Sequence, residues 1–274
     1  EYYIDNPTPM FLDYAKQYTD FPFLVTIEEK DGHYVPGQML SANMMGSKAK
    51  HSEFQYFVVD ELSRKMVIPN GCMGHRWTRK EKWNLKMENS ETGEAISPVL
   101  TLDGRGDGIV TVALPHFGHL DGMKTIERAV PVKKIDTPDG SLYVTTVYDL
   151  MMANYGIDRG FGGVAAKDFT DDTPYTPAWQ EKYTGVNPEL VIHTAREFAD
   201  NAIATGGRSM IIMGGGINHW FHADVIYRAV LNLVLFCACE GKNGGGWAHY
   251  VGQEKLRPAE GWGAIMSAKD WQAA

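Results

Sequence analysis

The sequence predicts an α/β protein: a parallel-sheet half-domain at the carboxyl end, preceded by a β-rich or irregular insertion. Residues 188–239 read as helix, apolar strand, glycine turn and helix, the order in which a parallel α/β layer is laid down. Residues 29 to about 150 carry closely spaced turn signals between short β-prone runs. Composition agrees. With 274 residues, 44% hydrophobic and 22% charged, the chain suits one large or two modest domains and excludes whole-chain disorder.

Residues 1–28 read as the end of a preceding α/β domain. Pro9 to Thr19 places Phe11, Tyr14, Ala15 and Tyr18 at helical spacing and runs into a strand, Phe23 to Ile27. The insertion, 29–150, has turn signals at Asp31-Gly32, Asn70-Gly71, Thr92-Gly93, Asp103-Gly104, Asp107-Gly108 and Asp139-Gly140. Between them lie the β-prone runs Phe54 to Val59, Ile109 to Leu114 and Leu142 to Val147. In 151–274, a short helix around Trp179 to Tyr183 ends at Gly185. Asn187 then caps a longer helix with Pro188 at its first position, and Gly206-Gly207 stop it. Ser209 to Met213 is a fully apolar run of strand length, expected to be buried. The turn Gly214-Gly215-Gly216 follows, then a helix from about His222 to Cys239.

Charge excludes one class of partner. There are 26 basic and 34 acidic residues, net −8, with no Lys/Arg block, so no nucleic-acid backbone is bound. The longest apolar run, Ala229 to Cys239, is too short for a bilayer and contains Asn232, so no direct membrane span is expected. Three cysteines make no disulfide framework and fit a reducing compartment. No signal peptide is visible, and a first residue of Glu1 rather than Met suggests an excised piece.

Cys237 and Cys239 fall on the last predicted helix at i and i+2, where they do not face each other, and Cys72 is remote, so all three are expected to be structural. A zinc site from His219, His222 and His249 lacks the organised ligand set that zinc needs. No GxSxG elbow marks a hydrolase. His116 and His119 read as loop or surface residues.

The most informative feature is Gly214 to Gly216. After a parallel strand, glycines let the chain turn sharply and let a ligand approach without Cβ interference. The spacing is not GxGxxG, since His219 takes the sixth position, and no P-loop lysine follows, so a standard NAD or ATP site is rejected. The triplet at Gly244 to Gly246, followed by Trp247, His249, Tyr250 and Gln253, suits a flat heterocycle. The two loops bracket one helix and are expected to reach the same sheet edge. Together they suggest a dinucleotide-binding, Rossmann-like half-domain, with a ligand-free strand-to-helix turn at Gly214 to Gly216 and a plain solvent loop at Gly244 to Gly246 as the other readings.

These residues carry a resemblance. YTPAW at 175, TGV at 184, AREFADNA at 195, GRSMII at 207, NHW at 218 and GGGWAHYVGQEKLRP at 244 resemble the respiratory nitrate reductase α-subunit family of the molybdopterin oxidoreductase (dimethyl-sulfoxide-reductase) superfamily. VTTVYDL at 144, ANYG at 153, DNP at 5 and Tyr18-Thr19-Asp20 extend the similarity over essentially the whole chain, weakest between about 29 and 130. The resemblance implies nitrate reduced to nitrite by oxygen-atom transfer at a molybdenum held by two molybdopterin guanine dinucleotides. It implies electrons from quinol through iron–sulfur clusters, an iron–sulfur β subunit, a membrane cytochrome γ subunit and a peripheral place on the cytoplasmic face of the membrane. Related members reduce chlorate, perchlorate or selenate. The cofactor cleft would be lined by Gly214, Gly215, Gly216, Asn218, His219, Trp220, Gly244, Gly245, Gly246 and Gln253, with the amide of Gln253 facing the heterocycle. The family's cysteine-rich cluster motif and its molybdenum-ligand segment are missing. No catalytic residue is therefore nominated, and the piece alone is expected to bind no cofactor and to be inactive. A non-catalytic scaffold is the alternative for the isolated chain.

Overall fold

The Thr8 hydroxyl accepts from Phe11 N at 3.1 Å and Pro9 takes the first helical position, which starts α1 (Pro9–Tyr18) where the sequence places it. The computed structural model describes residues 7–70, 87–118, 122 and 124–249. It divides into two compact units, Glu1–Glu197 and Phe198–Ala274.

The first unit is built on a closed barrel. Its strands are β1 (Leu24–Lys30), β2 (His33–Met39), β5 (Gly108–Pro115), β6 (Thr125–Thr137) and β7 (Gly140–Thr146), joined in the order β1-β2-β5-β6-β7. A separate antiparallel pair, β3 (Val58–Val59) and β4 (Met66–Val67), lies between β2 and β5 in sequence. Two of the turn signals become barrel hairpins. Asp31 and Gly32 have φ of 54° and 80°, the left-handed pair that matches strand twist, and Asp139-Gly140 joins β6 to β7. Barrel closure depends on a parallel contact between β2 and β5, Tyr34↔Val112.

β2 and β6 are absent from the sequence prediction. Pro36 and Gly37 interrupt one pattern; Pro131 and the charges Glu127, Arg128, Lys133 and Lys134 interrupt the other. Pairing overrides these local signals: thirteen-residue β6 matches β5 from Gly108↔Val132 to Pro115↔Thr125. Leu24, Leu40, Leu102 and Val144 fill one part of the core, and Ile27, Val112, Val130 and Val132 another. β1 runs across the 28/29 boundary of the sequence reading and pairs with β7. The helix α2 (Val147–Tyr155) runs across 150/151.

Buried polar groups lock this unit. Asp149, fully buried at the start of α2, accepts from Thr101 Oγ1 at 2.6 Å, Leu102 N at 2.8 Å and Thr146 Oγ1 at 2.9 Å, and pairs with Arg159 at 2.6 Å. Burial pushes its carboxyl up from the usual range, and Arg159 and the donors oppose that push. Arg128 is buried without a carboxylate. Its guanidinium donates to the carbonyls of Val164, Ala153, Asn154 and Pro174, tying the 153–174 region to β6. His116 is not a surface residue: it is 3% exposed, packed against Tyr175 and Trp179, the latter in α3 (Pro177–Thr184). His119 lies outside the described residues.

The helix α4 (Pro188–Thr205) contains the division between the units. Asn187 Oδ1 accepts from Glu189 N at 2.8 Å at its start. Gly206 and Gly207, both left-handed, end it, with Gly207 N donating to Ala202 O at 2.7 Å. In the second unit, β8 (Met210–Met213) leads into the single turn α5 (Gly215–Asn218), then α6 (Ala223–Phe236) and β9 (Gly246–His249). β8 and β9 are parallel, so the segment is a βαβ unit. The expected burial of β8 holds for Met213 alone; Ile212 is 81% exposed and Met210 is exposed too. These two residues share one face of the pleat, and that face is uncovered among the described residues.

Candidate functional site

The carboxyl end of β8 delivers the first glycine triplet. Gly214 is extended and caps α5, while Gly215 and Gly216 take ordinary helical conformations. A Cβ built on Gly215 or Gly216 meets nothing within 4 Å. Neither backbone conformation nor packing among the described residues therefore asks for glycine here. Beside them, Asn218 Oδ1 is buried with no hydrogen-bond partner. His219 and Trp220 are exposed.

The second triplet is a different object. Gly244 and Gly246 have φ of 84° and 88°, and a Cβ on Gly245 would stand 2.1 Å from Gly207 O and 2.8 Å from Cys239 O. Both clashes are with backbone, so this turn needs glycine for the chain's own sake. It also lies at the wrong end for the expected arrangement. Met210 pairs with Gly246 and Met213 with His249, so Gly244 and Gly245 precede β9 and Gly246 starts it, while Gly214 to Gly216 follow β8. Gly246 is level with Met210, four residues before Gly214, so at about 3.3 Å per residue the two turns are at least roughly 13 Å apart along the strands. The strand register thus replaces the expectation of one shared sheet edge. Gln253 lies outside the described residues.

What the register brings toward the Gly214 edge is His249, with Trp247 two residues before it on the same face. Tyr227, from α6, meets both. Its hydroxyl is 3.0 Å from His249 Nε2, and its ring centroid lies 5.2 Å from Trp247 and 5.3 Å from His249. Trp247 Nε1 is buried with no partner. A buried donor or acceptor left unpaired costs about 1–3 kcal/mol, so the orphan atoms of Trp247 and Asn218 are two unmet demands in one small unit. Sequence reasoning noted Trp247 but did not nominate it, and it passed over Tyr227 and His249 as a pair. The available signal was the i, i+2 alternation that follows once Gly246 is read as the start of a strand.

The cysteine pair also differs from expectation. α6 ends at Phe236, Cys237 caps it, and Ala238 turns left-handed at φ 49°, so the two thiols are not on one regular helix. Cys239 is fully buried and its Sγ lies 3.5 Å from Cys237 O. A hydrogen bond from the Cys237 thiol, helped by the backbone N–H groups of Ser209 and Gly246, lowers the Cys239 thiol to about 7. Among the described residues no three metal-ligating side chains gather, so the triplet of His219, His222 and His249 does not form a zinc site. No described helix is long and apolar enough to cross a membrane.

Comparison with known proteins gives the context. Residues 27–273 match the molybdopterin oxidoreductase family. The chain is 54% identical over 272 residues to the nitrate reductase alpha chain of Bacillus subtilis (strain 168), covering 99% of this chain and 22% of that one. It is 46% identical over 285 residues to the respiratory nitrate reductase 1 alpha chain of Escherichia coli (strain K12), covering 99% and 23%. It is 31% identical over 246 residues to the perchlorate reductase subunit alpha of Dechloromonas aromatica (strain RCB), covering 88% and 20%. The chain thus spans about a fifth of the length of these relatives.

Proposed function

The chain belongs to the molybdopterin oxidoreductase family, and from that premise we propose that it is part of the catalytic subunit of a nitrate reductase, contributing one wall of the cofactor cleft. Identities of 54% and 46% to nitrate reductase α chains, against 31% to a perchlorate reductase, favour nitrate as the substrate. The second unit is proposed as the first half of a dinucleotide-binding, Rossmann-like domain, on the strength of its parallel βαβ arrangement.

The residues present fit a pterin dinucleotide. The open glycines Gly215 and Gly216 leave room for close backbone approach, and a buried orphan acceptor, Asn218 Oδ1, is positioned to take a ring N–H. His219 and Trp220 stand exposed beside them as further contacts. Gly244, Gly245 and Gly246 act from the other end, by shaping the turn that starts β9. The bound group, molybdenum with two molybdopterin guanine dinucleotides, supplies the oxygen-atom transfer that takes nitrate to nitrite. The chain's own residues bind and orient that group; none described here is assigned to the reacting atoms. Iron–sulfur clusters, the β and γ subunits that pass electrons from quinol, and a peripheral place on the cytoplasmic face of the membrane complete the proposal for the whole protein.

The observation that carries this reading is a glycine pair, Gly215 and Gly216, for which neither backbone conformation nor packing among the described residues asks. Its test is Gly215→Val in the full-length α subunit. Because nothing stands within 4 Å of the new side chain's root, the subunit should fold. Molybdenum and pterin content, by metal analysis and pterin fluorescence, should fall by about tenfold or more. A variant with full molybdenum content and full nitrate turnover would refute the reading.

A further inference from the structure

We infer that Trp247 is a hydrogen-bond donor to the bound pterin dinucleotide, giving its indole N–H to an oxygen acceptor of that group, with the Tyr227–His249 pair holding the ring in place. The inference rests on the reading of the cleft above. Three observations carry it. Trp247 Nε1 is buried and has no acceptor among the described residues, although its ring is fixed against Tyr227 at 5.2 Å and His249 at 5.5 Å. The two polar groups nearest in this cluster satisfy each other, since the Tyr227 hydroxyl lies 3.0 Å from His249 Nε2, and so the indole N–H is the one left over. The register Met213↔His249 sets His249 at the edge that also presents Gly214 to Gly216 and the orphan Asn218 Oδ1, and Trp247 two residues back on the same face, level with Ile211. A phenylalanine would give an aromatic ring here without burying an unmet donor. A tryptophan is useful when an acceptor arrives from outside the chain, and an oxygen of the dinucleotide, a phosphate or ring carbonyl, is such an acceptor. Trp247 is a positioning residue in this scheme: it holds the group and touches no nitrate.

The test uses the full-length α subunit, prepared both loaded and cofactor-free, with Trp247→Phe and Trp247→His. The first keeps a ring and removes the donor; the second keeps a ring N–H. Expected for W247F is unchanged or higher thermal stability of the cofactor-free subunit, because the orphan donor is gone. After dialysis its molybdenum and pterin content should drop by about tenfold, with W247H retaining more. Ultraviolet resonance Raman of the wild-type subunit, which needs no variant, should show an indole N–H gaining a hydrogen bond on loading. If W247F lowers the stability of the cofactor-free subunit yet retains cofactor as the wild type does, or if loading leaves the indole signal unchanged, the donor's partner is protein and the inference fails. A wild-type subunit without molybdopterin would instead overturn the family-based reading on which it rests.

Discussion

The two glycine triplets are identical as sequence and opposite as structure. Gly244 to Gly246 are demanded by the chain. Two of them are left-handed, and the third packs its bare Cα against Gly207 O and Cys239 O. Gly215 and Gly216 are demanded by nothing in the described residues: neither has a left-handed φ, and open space surrounds both. One triplet is folding chemistry, and the other leaves free space beside the backbone at Gly215 and Gly216, the opening that the proposed cofactor site uses. The lesson is that glycine runs of one spelling must be sorted by what the fold asks of each.

Substitutions should separate the two. The largest effect is expected for Gly245→Ala. Its Cβ would meet backbone at 2.1 Å and 2.8 Å, so the turn must shift, at a cost of roughly 1–3 kcal/mol typical of overpacking. Hydrogen exchange at the amides of β8 and β9 should quicken in the cofactor-free subunit. Unchanged protection would mean that the turn is not packed as described.

A smaller effect concerns the thiol that this turn encloses. With the Cys239 thiol lowered from 9.0 to about 7, folding favours the thiolate. Its contribution to stability is therefore complete above pH 9, and is lost as pH falls through 7. Thiolate absorbance should titrate near pH 7 in the wild type, and that step should vanish in Cys239→Ala. A titration near 9 instead would remove the Gly246 turn from any role in holding the thiolate.

The smallest effect is the sharpest. Gly215→Ala, in an ordinary helical conformation with free space, should leave the cofactor-free subunit as stable as before or about 0.4–1 kcal/mol more stable. Thermal unfolding checks this. A loss of stability comparable with that of Gly245→Ala would erase the distinction between the triplets.

Much of the chain from Asn187 onward could be read from residue types. Pro188 after Asn187, Gly206-Gly207 at the end of α4 and the β8–turn–helix order all state local backbone demands, and these are met on the spot. The barrel was harder. Asp31-Gly32 and Asp139-Gly140 announced their hairpins, but β2 and β6 carry prolines and charges, and their identity as strands is settled by their neighbours. Among the proposed site residues, Gly214, Gly215, Gly216 and Asn218 form the turn after β8 that their own residue types announce, whereas the Tyr227–Trp247–His249 cluster joins a helix to a strand and leaves no local trace.

By itself, then, the sequence determined the hairpin turns at Asp31-Gly32 and Asp139-Gly140, the limits of α1 and α4 and the family, because each follows from conformational preferences or residue strings that need no distant partner. Tertiary structure alone decided which end of the strand pair each triplet occupies, which thiol Cys239 meets, and which indole N–H stays unpaired. Register, closure and burial depend on residues far apart in the chain, and their free energy exists only once those residues have met.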